Sequence, residues 1–373
     1  MTERRCRACR GQSGHLVLDL GEQPACDYFP AFDDPGPDPV YPLQMWLCSS
    51  CGLAQLLTDP TVPEEPRGAE PAALVAQAED AVRRVAAADW LPPGARVAEY
   101  GSPHGGSWLG MLKDRGLVPV TGEGEADVIL DCFGMMHAAD QAGAIAERAA
   151  RLAPGGVLLL QYHSLHTIVR GGQWNALRHG HYAYYSTTAL VSMLSTVGLA
   201  PRASWQFGLY GGTVLLAARR DTDDRGKPDS SVGALLAAEA GAGIHDPCIA
   251  GGLQRDASAR ANGLRNWLIA ARDSGKEVLG YSAASRAVAL LCKAAVNREL
   301  LPAVADASPA KHGLRMPGTD IPVISPAELT AREPDAVVLF VPDLMQEVRK
   351  AYPEIEDAGG DWIDADALVQ EPV

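Results

Sequence analysis

The sequence predicts an α/β protein in which a small N-terminal zinc-binding module precedes two Rossmann-like domains. Three observations carry this: two Cys-x2-Cys pairs before residue 52, strand-like and helix-like segments alternating from residue 96 to 161, and a second strand–turn–helix pattern over residues 277–285. A length of 373 residues suits two to three separate cores. The formal net charge is −14, and no Lys/Arg block longer than a pair stands out. That balance directs expectation away from nucleic acid and anionic membrane surfaces and toward a small-molecule partner. No stretch of 18 uncharged apolar residues occurs, and no apolar run follows the charges of Met1-Thr-Glu-Arg-Arg-Cys6, so the predicted location is cytoplasmic.

The zinc module rests on Cys6, Cys9, Cys48 and Cys51. Each C-x2-C turn aims two sulfurs at one point, and two such turns supply the four soft ligands of a closed, tetrahedral Zn2+ site. Redox dithiols or plain thiols are the alternatives, and a reducing compartment disfavours disulfides. Such a site stabilises a fold and performs no chemistry. Cys26, Cys132, Cys248 and Cys292 are scattered and read as small buried hydrophobes.

Beyond the cysteines, Asp33–Pro39 reads as a loop and Thr61–Gly68 as a linker. An Ala-rich amphipathic run from Glu70 to Trp90 reads as a helix, stopped by Pro92-Pro-Gly94. Arg96–Gly101 is a predicted strand, followed by a Gly-rich turn and a helix beginning near Trp108. Asp127–Asp131 is a second strand, residues 139–152 a helix closed by Pro154-Gly-Gly156, and Val157–Gln161 a third strand. This alternation predicts a parallel sheet covered by helices on both faces. Asp221–Ser231 is a polar hinge or an exposed hairpin loop. After it, residues 252–273 read as a helix, Glu277–Tyr281 as a strand entering the small-residue turn Ser282-Ala-Ala-Ser285, and Leu301–Asp306 and Ala336–Val341 as further strands. The predicted units are therefore 1–58, 70–220 and 232–373.

Several motifs fall in a fixed order. Leu18-Asp-Leu-Gly-Glu-Gln-Pro24 lies between the Cys pairs, and Leu47–Leu56 spans the second pair. Gly171-Gly-Gln-Trp-Asn175 is followed by His179-x-His181 and Tyr184-Tyr-Ser186, then by Tyr210-Gly-Gly-Thr213. Gly280-Tyr-Ser-Ala-Ala-Ser285, Asp306 and Lys311–Pro322 complete the series. Over nearly the whole chain this resembles the bacterial nucleotide-sugar C-methyltransferases, enzymes of antibiotic deoxysugar pathways. The resemblance implies S-adenosylmethionine as methyl donor, and His181 as the base that removes a proton next to a keto group. A neutral imidazole suits that task because its ordinary pKa lies near working pH. His179, Arg178 and Tyr184 are the other catalytic candidates. Gly101, Ser102, Gly105 and the acid Glu123 (or Glu125) are the cofactor-binding ones, by the logic of the dinucleotide fingerprint.

This chain departs from the family where the chemistry should lie. Arg178 and Gly180 stand where the family signature has Tyr and Glu, and Pro103 and His104 where it has Asn and Asp. Arg178 introduces a cation able to hold an oxyanion or a phosphate. Only residues 102–126 separate the first strand from the strand at Asp127, room for one helix and one strand where the fold normally places two of each. A shortened methyltransferase domain is thus predicted. The alternative function is a repurposed scaffold that no longer binds S-adenosylmethionine and catalyses a cyclisation, isomerisation or elimination, and a non-enzymatic binding subunit is the third reading. His104, His137, His163 and His166 are further candidates along the same sheet edge, for acid–base work or for a second metal.

Overall fold

The computed structural model describes residues 4–61, 71–102, 106–122, 124–220 and 228–369, which form three sheets. Strands β1 (Gly14–Pro24), β2 (Val40–Cys48) and β3 (Ala54–Leu56) form an antiparallel meander next to the cysteines. Helix α1 (Ala72–Ala87) leads into the middle domain and buries Ala78, Ala81, Val82 and Val85 at helical spacing. It begins and ends within the predicted run. Strand β4 (Arg96–Tyr100), helix α2 (Leu109–Asp114), β5 (Val118–Pro119), β6 (Ala126–Cys132), helix α3 (Gln141–Ala150) and β7 (Leu152–His163) then alternate.

After β7 the chain turns through helix α4 (Leu165–Arg170) and returns to the N-terminal module, where β8 (Ala183–Tyr184) pairs with β3. Helix α5 (Thr187–Ser195), β9 (Leu199–Phe207) and β10 (Thr213–Arg220) complete the middle sheet in the order β5-β4-β6-β7-β10-β9. Two predictions need correction here. The sheet is not wholly parallel: β10 runs antiparallel to both β7 and β9, as a hairpin must when only a short turn separates β9 from β10. Pro154-Gly-Gly156 does not end the helix; α3 stops at Ala150, and the three residues lie inside the long strand β7. The expected shortening is present, since between β4 and β6 the described residues hold only α2 and β5.

Helices α6 (Ser230–Ala242), α7 (Pro247–Ala250) and α8 (Gly252–Asp273) lead into the last domain. Its sheet is built from β11 (Val278–Tyr281), β12 (Val304–Ala305), β13 (Val323–Ile324), β14 (Ala336–Leu339) and β15 (Asp361–Asp364), with helix α9 (Ser285–Lys293) after β11. All five strands are parallel, in the order β13-β12-β11-β14-β15. Gly280 allows this close packing, because a Cβ there would meet Phe340 at 2.8 Å and Val304 at 2.9 Å. Helix α6 packs on the middle domain although it straddles the boundary expected at 232, with Val232 and Leu235 buried among the side chains of α5 and β9. The hinge expected over Asp221–Ser231 lies mostly outside the described residues.

The N-terminal and C-terminal units share one hydrophobic core. Val17, Leu18 and Leu20 of β1 bury against Leu253, Ala257 and Leu264 of α8, an arrangement that removes apolar surface of both from water. Among the scattered cysteines, Cys26 and Cys132 are buried as expected, whereas Cys248 is exposed at the start of α7 and Cys292 is intermediate. Among the described residues no helix is long and apolar enough to cross a membrane.

One buried ion pair shapes the end of β6. Asp131, wholly inaccessible, accepts from Arg148 Nε at 2.5 Å through Oδ2, and from the main-chain amides of Gly134 (2.8 Å) and Met135 (3.0 Å) through Oδ1. These bonds fix the turn that carries His137. Asp131→Ala strands the Arg148 guanidinium without its carboxylate and is expected to cost about 3–5 kcal/mol. A lowered thermal unfolding midpoint measures it.

Candidate functional site

The four predicted cysteines converge. Cys6, Cys9, Cys48 and Cys51 place their sulfurs within 4.8 Å of one another, with Cys6···Cys51 at 3.5 Å and Cys9···Cys48 at 3.6 Å. Sulfurs on a tetrahedral zinc with 2.3 Å bonds lie about 3.8 Å apart, so the set fits. The hydrogen bond with the Cys51 sulfur pulls the Cys6 thiol well below its ordinary pKa. Three of the four are buried and only Cys9 is exposed, giving a closed structural centre.

The middle and C-terminal sheets open on a common cavity of about 360 Å³. On one side it touches Ser102 beyond β4 and Cys132 and Phe133 at the end of β6; on the other it touches Tyr281 and Ser282 at the end of β11 and Val341 beyond β14. In each sheet these positions mark the place where strand order reverses, the usual ligand crevice of an open α/β sheet. Two such crevices merge here into one.

Arg178, His181 and Tyr184 all line the cavity. Arg178 donates from Nε to His181 Nδ1 at 3.3 Å and from Nη1 to Ser285 Oγ at 2.5 Å, linking the middle domain to the start of α9. Tyr184 directs its hydroxyl at the Arg178 peptide, accepting from the amide at 3.1 Å and donating to the carbonyl at 3.5 Å; burial pushes its pKa up. It therefore fastens the turn. His179 differs from the expectation. Its Nε2 lies 3.3 Å from the Pro42 carbonyl and its ring packs edge-on against Tyr41, so it is not among the residues lining the cavity. An H-x-H pair in a turn sends its two rings in different directions, one here to β2 and one to the cavity. Gly180 between them adopts φ +79°, which favours glycine, and its amide donates to Asp59 Oδ2 at 2.5 Å.

His137 and His163 also line the cavity. The ring of His137 stands edge-on to that of His181, centroids 4.6 Å apart, with Nδ1 3.0 Å from the Gly180 carbonyl. Burial, then the Arg178 cation, pushes the His137 pKa down to about 4. Burial and the nearby Arg286 hold His163 at about 3, and its Nε2 lies 2.9 Å from Gln173 Oε1. His166 does not line the cavity, and His104 lies outside the described residues. Outside the four cysteines, no group of three or more metal-ligating side chains occurs among the described residues, so the second metal is not supported.

Of the cofactor candidates, Ser102 lines the cavity together with Gly106 and Trp108. Gly101 precedes them with open space where a Cβ would stand. Gly105 and Glu123 lie outside the described residues. Glu99 is committed elsewhere, its carboxylate accepting from the Trp108 amide at 2.7 Å and from Ser107 Oγ at 2.5 Å. Phe133, Met136 and Leu209 add apolar surface to the same cavity.

Sequence reasoning missed Arg286. It lines the cavity from the first turn of α9 and lies over the Tyr210 ring at 5.5 Å. A cation in the first turn of a helix opposes the helix dipole, and that was the available signal.

Fold and cysteine cluster together are those of an α/β protein with a structural zinc module. Family models match in the same order: "Putative zinc binding domain" over residues 6–65, "Methyltransferase domain" over 121–204 and "C-methyltransferase C-terminal domain" over 208–365. The chain is similar to the C-methyltransferase NovU of Streptomyces niveus, 23% identical over 96% of this chain and 94% of that protein. The chain thus carries a C-methyltransferase C-terminal domain behind a zinc-binding and a methyltransferase domain, and NovU is a distant homologue. Solved structures with partial likeness include magnesium protoporphyrin IX methyltransferase from Synechocystis (11% identity, 40% of this chain and 84% of that one, TM-score 0.30) and the N-methyltransferase NodS from Bradyrhizobium japonicum (13%, 40% and 88%, 0.28). These two likenesses have no bearing on ligand or reaction. The methyltransferase match begins at 121 and leaves out β4 and its glycine turn, the region that departs from the family.

Two expectations follow. Cys9→Ser and Cys48→Ser each lower bound zinc from one ion per chain toward none, read by elemental mass spectrometry, and the altered module melts early because metal binding and folding are coupled. The second concerns pH. His137 and His163 have folded pKa values below the ordinary 6.5, so the unfolded chain binds their protons first. Their contribution to stability is complete above pH 6.5 and is lost as pH falls toward 4 and 3, at up to about 1.4 kcal/mol per pH unit for each. His163→Gln should flatten the fall in melting temperature between pH 6.5 and 4.

Proposed function

We propose that this enzyme transfers a methyl group from S-adenosylmethionine to a carbon next to a carbonyl in a small substrate, a nucleotide-linked ketosugar being the class the family points to. The reading is carried by one observation: the carboxyl ends of two sheets share a cavity that holds two imidazoles and the Arg178 cation at a single place. Its division of labour follows the three expected units. Residues 1–58 would hold zinc and brace the 178–184 segment, 70–220 would bind the donor, and 232–373 would close over the substrate. Ser102, Gly101, Gly105 and the acid at Glu123 form the proposed donor site, and that group supplies an electrophilic methyl when bound. The chain's own residues do the rest. His181 and His137 serve proton removal and oxygen polarisation, Arg178 holds negative charge that develops on the substrate oxygen, and Tyr184 and His179 hold the turn in place. Apolar walls from Phe133, Met136 and Leu209 keep water from the reacting carbon. A cytoplasmic setting fits the free thiols outside the zinc site.

A second reading draws on the missing strand–helix unit: the same scaffold without a methyl donor, running a cyclisation, isomerisation or elimination. Calorimetry with S-adenosylmethionine and S-adenosylhomocysteine separates the two. Methyl transfer requires one binding site per chain for each, and absence of binding at millimolar nucleoside would remove the methyl-transfer reading.

A further inference from the structure

Hydrogen-bond chemistry divides two of the imidazoles that line the cavity, His137 and His181. A guanidinium has no acceptor and stays protonated, so the contact from Arg178 Nε to His181 Nδ1 can only be a donation to a bare nitrogen. The proton of neutral His181 is thereby placed on Nε2. At His137 the partner is a carbonyl, which has no proton to give, so Nδ1 carries the hydrogen and Nε2 carries the lone pair. Gly180 makes this second contact possible, since its φ of +79° is the turn from which its carbonyl meets His137. The two rings lie edge to face at the same wall of the cavity, and both line it. One carries its proton on Nε2 and the other its lone pair on Nε2; both atoms are buried, so a substrate reaches them only by displacing the groups that cover them.

We propose that Arg178 locks His181 as a hydrogen-bond donor, and that His137 is the proton acceptor of this site. The base role that the family resemblance gives to His181 passes to a residue on a different turn, as a consequence of an Arg standing where the family has Tyr. Within the reading of the site as a carbon methyltransferase, on which the chemical step rests, a substrate C–H bond next to the carbonyl breaks. Its proton goes to His137 Nε2, giving an imidazolium, and its electron pair moves into the carbonyl, leaving an enolate whose oxygen accepts from His181 Nε2–H. Arg178 is the positioning residue of the pair.

The test reads tautomers directly and needs no substrate, so it stands or falls apart from the methyl-transfer reading. The full-length zinc-loaded protein, labelled with 15N-histidine, is recorded by long-range proton–nitrogen NMR at pH 7, with His137→Gln and His181→Gln used for assignment. The expected pattern is opposite for the two rings: in His181 the unprotonated, downfield nitrogen is Nδ1, and in His137 it is Nε2. In Arg178→Met the two His181 nitrogens move toward averaged shifts while His137 keeps its pattern. A wild-type spectrum with His181 protonated at Nδ1, or with His137 protonated at Nε2, overturns the assignment of roles. A His181 pattern untouched by Arg178→Met overturns the locking role of Arg178.

Discussion

The site depends on one constraint, the fastening of residues 178–184 to all three units at once. Tyr184 pairs in the strand that joins the zinc module's sheet, His179 and Gly180 are tied to Pro42 and Asp59, and Arg178 reaches Ser285 at the head of α9. From the other direction, the β6 turn meets the same segment through His137 and Gly180. A seven-residue stretch with so many partners cannot drift without breaking bonds in several places, and that is how a loop comes to hold an imidazole and a guanidinium in fixed relation. Preorganisation of this kind is what an electrostatic site requires, since donors already aimed at a developing charge need not reorient during reaction.

The zinc centre braces the same segment from a distance. Its four sulfurs fix the ends of β2 and the approach to β3, β3 pairs with β8, and β8 carries Tyr184. The shared core between β1 and α8 does the same for the last domain, holding it against the module so that Ser285 and Arg286 stay at the cavity. A structural metal thus helps set the distance between the two sheets that share the cavity.

Much of this was legible in the sequence. The Cys spacing disclosed the zinc site because soft ligands in short turns have few other uses in a reduced chain. Residues 252–273 disclosed α8, and the interval 102–126 disclosed the lost strand–helix unit, because chain length bounds what a segment can form. Motif position put His181 and Arg178 forward, and both line the cavity. What stayed hidden depends on direction in space. Sequence spacing put His179 beside His181 but could not say that alternate rings in a tight turn part company, and nothing local linked His137 to Gly180 across 43 positions. Arg286 was missed because nothing local in the sequence says that the start of α9 opens on a cavity shared with the middle sheet. The antiparallel β10 escaped for a similar reason, since direction within a sheet is decided by the connection and not by the strand.

The most direct test of the central claim is a crystal structure of this chain soaked with S-adenosylhomocysteine. The account predicts density running from Ser102 and Trp108 toward the 178–181 turn, with the ligand's sulfur on the side of His181 and the rings of residues 137 and 181 still edge to face. A nucleoside bound outside this cavity, or a 178–181 turn that swings away from Ser285 to admit it, would contradict the account.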